Sequence, residues 1–268
     1  MQTRVSTNDG LSTRWIEHGS GRPVVLVHGI PTSAQLWRHV MPLVRGRSLA
    51  WEMAGYGSSI AEGAGLDLAV AAQADRLLAW LDTQGLERPV LVGHDIGGGV
   101  AQIAAVHAPQ RFSGLVLTNA VCYDSWPVPS AKVSARLAPV LRHLPAPFVR
   151  GSFAQLMRRG HDTEAKAKES FAVHWRYYSA NGAAQSLMAQ LTALDARDTR
   201  SVADRLPDLG LPARVVWGAA DPFQKIGFGE RLAADLGTEV RHIPGGSHFT
   251  PEDHPDVVAE AINELLAP

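Results

Sequence analysis

The sequence predicts an α/β protein with a mostly parallel central sheet, helices on both faces of that sheet, and an inserted helical cap. Three observations support this prediction. Short apolar runs of strand length alternate with longer segments that carry apolar residues at helical spacing. Glycine or proline separates most of these segments. From residue 122 to about residue 205 no run resembles a buried strand, and helix-like stretches broken by proline take its place. Strands that alternate with helices favour a parallel sheet.

The first half of the chain provides the first of these alternating units. Residues 12–17 are typical of a strand, and a glycine turn leads into the apolar strand 23–27, so we predict an opening hairpin. Residues 34–44 are compatible with a helix, and residues 48–51 are typical of another strand. Apolar residues at helical spacing predict a long helix over 68–86, which stops at Gly85 and Pro89.

The second half returns to the alternating pattern after the cap. Strands are predicted at 114–119, 213–217 and 239–243, and a closing helix at 255–266. We therefore expect residues 1–121 and 206–268 to form the core. Residues 122–205 are expected to form the helical cap.

Composition limits the function classes. The chain has 268 residues, 46% of them hydrophobic, which is ample for a large core. Its net charge of −1 provides no field that would attract nucleic acid or a membrane, so we expect neither as a partner and expect a small, largely apolar, neutral substrate. A single cysteine, Cys122, suits a reducing compartment. Because the first residues lack the apolar core of a signal peptide, we expect a cytoplasmic protein.

One short segment carries the strongest indication of chemistry. The apolar run at 89–92 leads into Gly93-His94-Asp95-Ile96-Gly97, and a helix-like stretch follows. This pattern predicts a strand, a sharp turn and a helix, with a positive φ at Asp95 that small neighbours permit. A carboxylate at the apex favours displacement at saturated carbon, because its attack on an ester would produce a reactive anhydride.

Two further polar residues follow predicted strands. Asp221 comes just after the strand at 213–217, and His248 comes after the strand at 239–243. Ligands bind at such strand ends in open α/β sheets. An isolated aspartate in this position commonly caps a turn. The order of Asp95, Asp221 and His248 matches nucleophile, acid and histidine, so together they predict a catalytic set.

These motifs resemble the α/β-hydrolase superfamily over nearly the full chain. Within that superfamily the chain resembles the aspartate-nucleophile branch, which contains haloalkane dehalogenases and epoxide hydrolases. The resemblance rests on His28-Gly29-Ile30-Pro31, the following stretch through Leu36-Trp37-Arg38, the turn at Asp95, and the loops that hold Asp221 and His248.

The resemblance implies a role for each of these residues. Asp95 would attack a substrate carbon to form an alkyl ester, His248 would activate water, and Asp221 would orient the imidazole. The backbone amides of Ile30 and Ile96 would form an oxyanion hole. An alternative position for the acid falls near Asn119, which cannot be anionic. The resemblance implies no metal and no organic cofactor.

Stabilisation of a leaving group divides the two branches. Related dehalogenases usually have tryptophan and asparagine where this chain has Ile96 and Ile30, and isoleucine side chains cannot donate hydrogen bonds. A dehalogenase would therefore need donors from the cap, for which Trp126, Trp175 and His174 are the candidates.

Epoxide hydrolases use cap tyrosines that donate to the oxygen of the opening ring. Tyr177 and Tyr178 lie in the predicted cap, although adjacent residues on a helix point about 100° apart. Their aromatic segment also suits a cap core. We favour an epoxide hydrolase, with a haloalkane dehalogenase as the alternative. A non-hydrolytic binding or biosynthetic protein on the same fold is a further possibility.

Overall fold

The computed structural model describes residues 1–8 and 11–267, so Asp9, Gly10 and Pro268 of the predicted core lie outside the described residues. Its sheet has the strand order β1-β2-β4-β3-β5-β6-β7-β8. Strand β2 runs antiparallel to its neighbours β1 and β4, and every other neighbouring pair is parallel. This confirms the predicted α/β fold. The strands are β1 (Gln2–Asn8), β2 (Leu11–His18), β3 (Pro23–Val27), β4 (Arg47–Trp51), β5 (Val90–His94), β6 (Gly114–Thr118), β7 (Ala213–Gly218) and β8 (Val240–Ile243).

The predicted opening hairpin is wrong. Strand β2 pairs with β1 and β4, whereas β3 lies between β4 and β5. Residues 24–27 of β3 are fully buried, so this strand needs a neighbour on each side and helices on both faces. The more exposed β2 suits a place near the sheet edge, and its hairpin partner is β1.

Helices cover both faces of the sheet because successive strand residues point to opposite sides. On β3, Val25 and Val27 pack with α1 (Val70–Gln84), α2 (Ile96–His107) and α9 (Ile226–Asp235). The alternate residues, Val24 and Leu26, pack with α11 (Pro255–Leu266). The predicted helix at 34–44 forms instead as two short 3₁₀ turns, Ala34–Trp37 and Met41–Leu43.

The chain between β6 and β7 contains helices and no strand among its described residues. Several of the prolines that break the sequence pattern begin helices here, since the first turn does not need the missing N–H. The division into core and cap at residues 122 and 205 stays a prediction. The helices are α3 (Pro129–Arg136), α4 (Ala138–Leu141), α5 (Ala146–Gly160), α6 (Glu164–Ala180), α7 (Ala183–Thr192) and α8 (Arg197–Arg200), and the short α10 (Thr250–Asp253) precedes α11.

No helix in the described part of the chain is both long and apolar enough to cross a bilayer. The parallel strands β5, β6 and β7 end at the same edge of the sheet. Their following loops carry Asp95, Asn119 and Asp221.

Candidate active site

Asp95 occupies the apex of the turn between β5 and α2. Its backbone has φ 52° and ψ −126°, and the sequence predicted the positive sign of φ. The amides of Gly98 and Val121 hold this conformation by donating to the Asp95 carbonyl oxygen at 2.9 and 3.0 Å. A Cβ at Gly97 would overlap backbone carbonyl oxygens of the neighbouring strand β3, so only glycine fits. The chain thus maintains at this buried strand end a backbone conformation that is unfavourable for a non-glycine residue.

One carboxylate oxygen of Asp95 accepts a hydrogen bond from the backbone. The Ile30 amide donates to Asp95 Oδ1 at 2.9 Å, and the amides of Ile30 and Ile96 both act to lower the pKa of this carboxyl. A Cβ at Gly29 would overlap the Asp95 side chain. One of the two amides predicted as an oxyanion hole, that of Ile30, therefore contacts an oxygen of the aspartate itself.

Asp221 and His248 meet beside this carboxylate. His248 Nδ1 lies 2.8 Å from Asp221 Oδ2, and the amides of Phe223 and Gln224 donate to Asp221 Oδ1 at 2.7 and 3.0 Å. His248 Nε2 lies 3.6 Å from Asp95 Oδ2. The structure therefore brings the three predicted residues together, with the imidazole between two carboxylates.

Asn119 is a positioning residue, which the sequence analysis noted only because it occupies the alternative acid position without being able to serve as the acid. Its Nδ2 donates to Asp221 Oδ2 at 2.6 Å, the same oxygen that contacts His248. Its Oδ1 accepts from the Gly218 amide and from Thr250 Oγ1, each at 3.1 Å. Asn119 thus orients the acid, and its place directly after β6 was the available signal for this role.

Burial and charge shift the pKa of each of the three groups. Burial raises the pKa of Asp95 above its ordinary value, although His248 and the two backbone amides oppose this shift. Burial lowers the pKa of His248, but the charges of Asp221 and Asp95 outweigh it and the net shift is upward. Burial raises the pKa of Asp221, but His248 and the loop amides outweigh it and the net shift is downward. Asp221 is therefore suited to remain ionised beside His248.

We expect the charge of Asp95 to raise the pKa of His248 measurably. Neutralising that charge, by substrate or by Asp95→Asn, removes one cause of the upward shift, so the imidazole should lose its proton at lower pH. NMR titration of His248 should therefore give a lower pKa in Asp95→Asn than in the wild type. An equal or higher pKa in the variant would contradict the electrostatic coupling of the two residues.

A cavity of about 540 Å³ opens above Asp95 and His248. Helices α3 and α5 provide its exposed polar lining, which includes Ser130, Gln155 and Arg159. The inner wall is apolar. It includes Ile30, Val121, Phe153, Leu187, Leu191 and Phe249.

The predicted donors Trp126 and His174 are not available to a leaving group. Trp126 lines the cavity, but its Nε1 donates to Thr199 Oγ1 at 2.8 Å. His174 is fully buried outside the cavity lining, with Nδ1 2.9 Å from Ser33 Oγ and Nε2 3.3 Å from Glu252 Oε1. Both predictions of a cap donor are therefore wrong, because other side chains already occupy these polar atoms.

The other three cap candidates also lie outside the cavity lining. Trp175 stacks on Phe171 at 5.9 Å between ring centroids. The hydroxyl of Tyr178 is buried and donates to Gln190 Oε1, while the hydroxyl of Tyr177 accepts from Arg176. The predictions for Trp175, Tyr177 and Tyr178 are wrong because α6 packs these rings into the helical segment itself.

Comparison with known proteins identifies the family of this chain. The profile of a family described as alpha/beta hydrolase fold matches residues 22–255. The chain belongs to this family. Haloalkane dehalogenase 2 of Mycobacterium tuberculosis is 29% identical over 265 residues, which cover 93% of this chain and 90% of that protein. Bifunctional epoxide hydrolase 2 of Rattus norvegicus is 28% identical over 142 residues, which cover 52% of this chain and 26% of that protein.

Solved structures show the same fold at lower identity. An alpha/beta hydrolase fold protein from Burkholderia ambifaria has a TM-score of 0.91 at 23% identity and covers 97% of both chains. Epoxide hydrolase CorEH has a TM-score of 0.75 at 19% identity and covers 100% of this chain and 99% of its own. The predicted superfamily is confirmed, and this α/β hydrolase is an enzyme of the hydrolase class.

Proposed function

We propose that this hydrolase displaces a leaving group from saturated carbon with the Asp95 carboxylate and then hydrolyses the resulting ester. The observation that carries this proposal is the position of Asp95 Oδ1, which accepts from the Ile30 amide at 2.9 Å. In an acyl-transfer enzyme the oxyanion hole must receive an oxygen of the substrate. Here Asp95 Oδ1 lies at the oxyanion hole. This is the arrangement expected if the carbonyl that water attacks belongs to the ester of Asp95 and not to the substrate.

The two steps assign different roles to the two oxygens of Asp95. Oδ2 attacks the substrate carbon, the bond to the leaving group breaks with its electron pair, and Oδ1 becomes the ester carbonyl oxygen beside Ile30. His248 then takes a proton from water as that water attacks the Asp95 carboxyl carbon. Negative charge develops on Oδ1, which the amides of Ile30 and Ile96 stabilise, before the alcohol departs with the original Oδ2. The departing alkoxide takes up a proton as the carboxylate re-forms. A halide substrate therefore consumes one water and yields an alcohol, a halide ion and a proton, whereas an epoxide gains one water and yields a diol.

The leaving group best suited to the cavity is a halide. An epoxide oxygen departs as an alkoxide, a strong base that needs a proton donor, whereas a halide departs without a proton. None of the described residues that line the cavity is a tyrosine, and Tyr177 and Tyr178 bind elsewhere. The dehalogenase relative also matches nearly the whole chain. We therefore place dehalogenation before the epoxide hydrolysis that the sequence analysis favoured.

Gln224 is our candidate for the leaving-group donor. It lines the cavity, is 2% exposed and follows Asp221 by three residues. Its backbone is held at both ends, since its amide donates to Asp221 and its carbonyl accepts from Trp217 Nε1 at 2.9 Å. The side-chain Oε1 is buried without a hydrogen-bond partner, and no hydrogen bond among the described residues holds the amide nitrogen, so the amide can turn its N–H donors towards the leaving group without losing a bond.

We expect Gln224→Leu to slow the release of halide. A hydrogen bond to a charged group contributes about 1.5–3 kcal/mol, so the first step should slow roughly 10- to 100-fold while ester hydrolysis is unchanged. Rapid-mixing measurements of halide release would show this. The matched control is Gln155→Leu at the exposed rim of the same cavity, which should retain the wild-type rate. Equal rates in all three proteins would contradict the assignment of Gln224.

Epoxide hydrolysis is the second candidate. The observation in its favour is the same unpartnered amide of Gln224, which can also donate to an epoxide oxygen. A binding protein without catalysis has no use for an imidazole held at 2.8 Å by a buried acid, so that alternative is the least supported. A panel of chloroalkanes, bromoalkanes and alkyl or aryl epoxides distinguishes the candidates. Halide release without diol formation supports dehalogenation, and the reverse supports epoxide hydrolysis. Turnover of neither class, in the wild type, would contradict displacement at carbon.

A further inference from the structure

Exposed apolar side chains are concentrated in one stretch of the chain. Among the described residues, five of the eight large hydrophobic side chains that are exposed lie between residues 133 and 148. We call these five the apolar stripe, and two of them, Val140 and Phe148, are 70% and 67% exposed. The members of the apolar stripe are Val133, Leu137, Val140, Leu144 and Phe148.

The first part of the apolar stripe follows helical spacing. Its members recur every three or four residues, which places them on one side of a helix. Helix α3 continues into α4 through Leu137, because the Leu137 amide donates to the Val133 carbonyl and the Leu141 amide to the Leu137 carbonyl. No side chain of α3 is buried. The stripe is therefore the outer face of a short helical surface.

The segment of the chain that contains the stripe is basic. The segment from Pro129 to Gly160 carries six lysine and arginine residues and no aspartate or glutamate, while the rest of the chain carries 19 basic and 26 acidic residues. All six are exposed, and none of them forms an ion pair with any side chain in residues 1–8 and 11–267. The six are Lys132, Arg136, Arg142, Arg150, Arg158 and Arg159.

Helices α3 and α5, which carry Val133 and Phe148 of the apolar stripe, also border the mouth of the cavity. Ser130 and Ser134 on α3, and Ser152, Gln155 and Arg159 on α5, line the opening above Asp95. Part of the stripe and the cavity mouth are therefore built on the same two helices.

We propose that the apolar stripe and its six cations dock on the surface of an anionic lipid bilayer. Apolar side chains interleaved with lysine and arginine are typical of helices that lie in the interface of such bilayers. A second copy of this chain fits less well, because two identical faces would each bring six unpaired positive charges together. The net charge of −1, from which we expected no membrane partner, conceals this uneven distribution.

The test is flotation of the whole chain with vesicles of phosphatidylcholine alone and of phosphatidylcholine mixed with phosphatidylglycerol. We expect retention on the mixed vesicles only, with loss at high salt because screening weakens the attraction. Arg136→Gln combined with Arg142→Gln should weaken binding about 30-fold, from about fivefold for each cation. Arg45→Gln combined with Arg200→Gln changes the net charge equally outside the segment and should leave binding unchanged.

A second pair of variants tests the contribution of the apolar side chains. Phe148→Ser should weaken binding to the mixed vesicles, whereas Leu43→Ser, at an exposed site outside the segment, should not. Failure of the wild type to bind mixed vesicles would overturn the proposal. Equal binding by the segment variants and their controls would also overturn it. Light scattering that shows a dimer dissociated by Phe148→Ser would assign the stripe to a second copy, and retention on immobilised polyglutamate without vesicle binding would assign it to an acidic protein.

Discussion

The His248→Gln variant is expected to stop after the first chemical step and accumulate an alkyl ester on Asp95. The attack by Asp95 needs no proton transfer, whereas hydrolysis of the ester needs a base to take a proton from water. Glutamine has no basic nitrogen, so turnover should fall about 10²- to 10⁴-fold. Each enzyme molecule should still release about one leaving group in the first turnover. Mass spectrometry should find the added alkyl mass on the peptide that contains Asp95.

A second histidine, away from the site, provides a matched control. His242→Gln alters an exposed histidine of β8 and should show normal turnover and no adduct. A second variant, Asp95→Asn with His248→Gln, should show neither the burst nor the adduct. An unmodified Asp95 peptide in His248→Gln, after incubation with a substrate that the wild type converts, would count against the covalent scheme.

The Asp95→Asn variant is expected to lose activity and gain stability. Removing a covalent nucleophile can cost about 10⁶-fold in kcat. The same change removes a charge that burial disfavours, since the pKa of Asp95 is raised in the folded chain. Asparagine Oδ1 can still accept from the Ile30 amide, so the hydrogen bond at 2.9 Å can remain. Each kcal/mol gained should raise Tm by about 2–4 °C.

The gain in stability of Asp95→Asn should be present at neutral pH and should disappear in acid. An ionised Asp95 destabilises the fold at pH values above its raised pKa, and this cost is lost as the pH falls through that pKa towards the ordinary carboxyl value. Thermal melts should therefore separate the variant from the wild type at neutral pH and bring them together in acid. The control Asp75→Asn replaces an exposed carboxylate on α1 and should shift neither curve. A less stable Asp95→Asn at neutral pH would contradict the burial cost.

The fold and the central site could be predicted because backbone rules determine them. Glycine on both sides of Asp95 indicated a positive φ, and the structure has φ 52° there. Because parallel strands end at one sheet edge, two strand-end loops brought Asp221 and His248 to Asp95. Their catalytic roles stay predictions. The opening hairpin failed because pairing depends on which strand needs two neighbours, and adjacency in the sequence does not show this.

The leaving-group residues could not be predicted from the cap sequence. Helix α6 has side chains with polar end groups on several of its faces, and only the packing of the helix determines which face lies towards the cavity. His174 and Tyr178 lie four residues apart, so both point to one buried face, towards Glu252 and Gln190 respectively. The sequence analysis did not single out Gln224, because a lone glutamine is not part of a recognisable catalytic motif. Its position three residues after the acid, in the loop that wraps the Asp221 carboxylate, was the indication available.

The most direct measurement of the central claim is a single turnover in water enriched in the heavy oxygen isotope, with enzyme in excess over substrate. Water attacks the carboxyl carbon of Asp95 in this scheme, so the heavy oxygen should enter the Asp95 carboxylate and the first alcohol released should carry ordinary oxygen. Mass analysis of the Asp95 peptide and of the product reports both fates. Heavy oxygen in the first product, with an unlabelled Asp95, would show direct attack by water and would contradict a covalent role for Asp95.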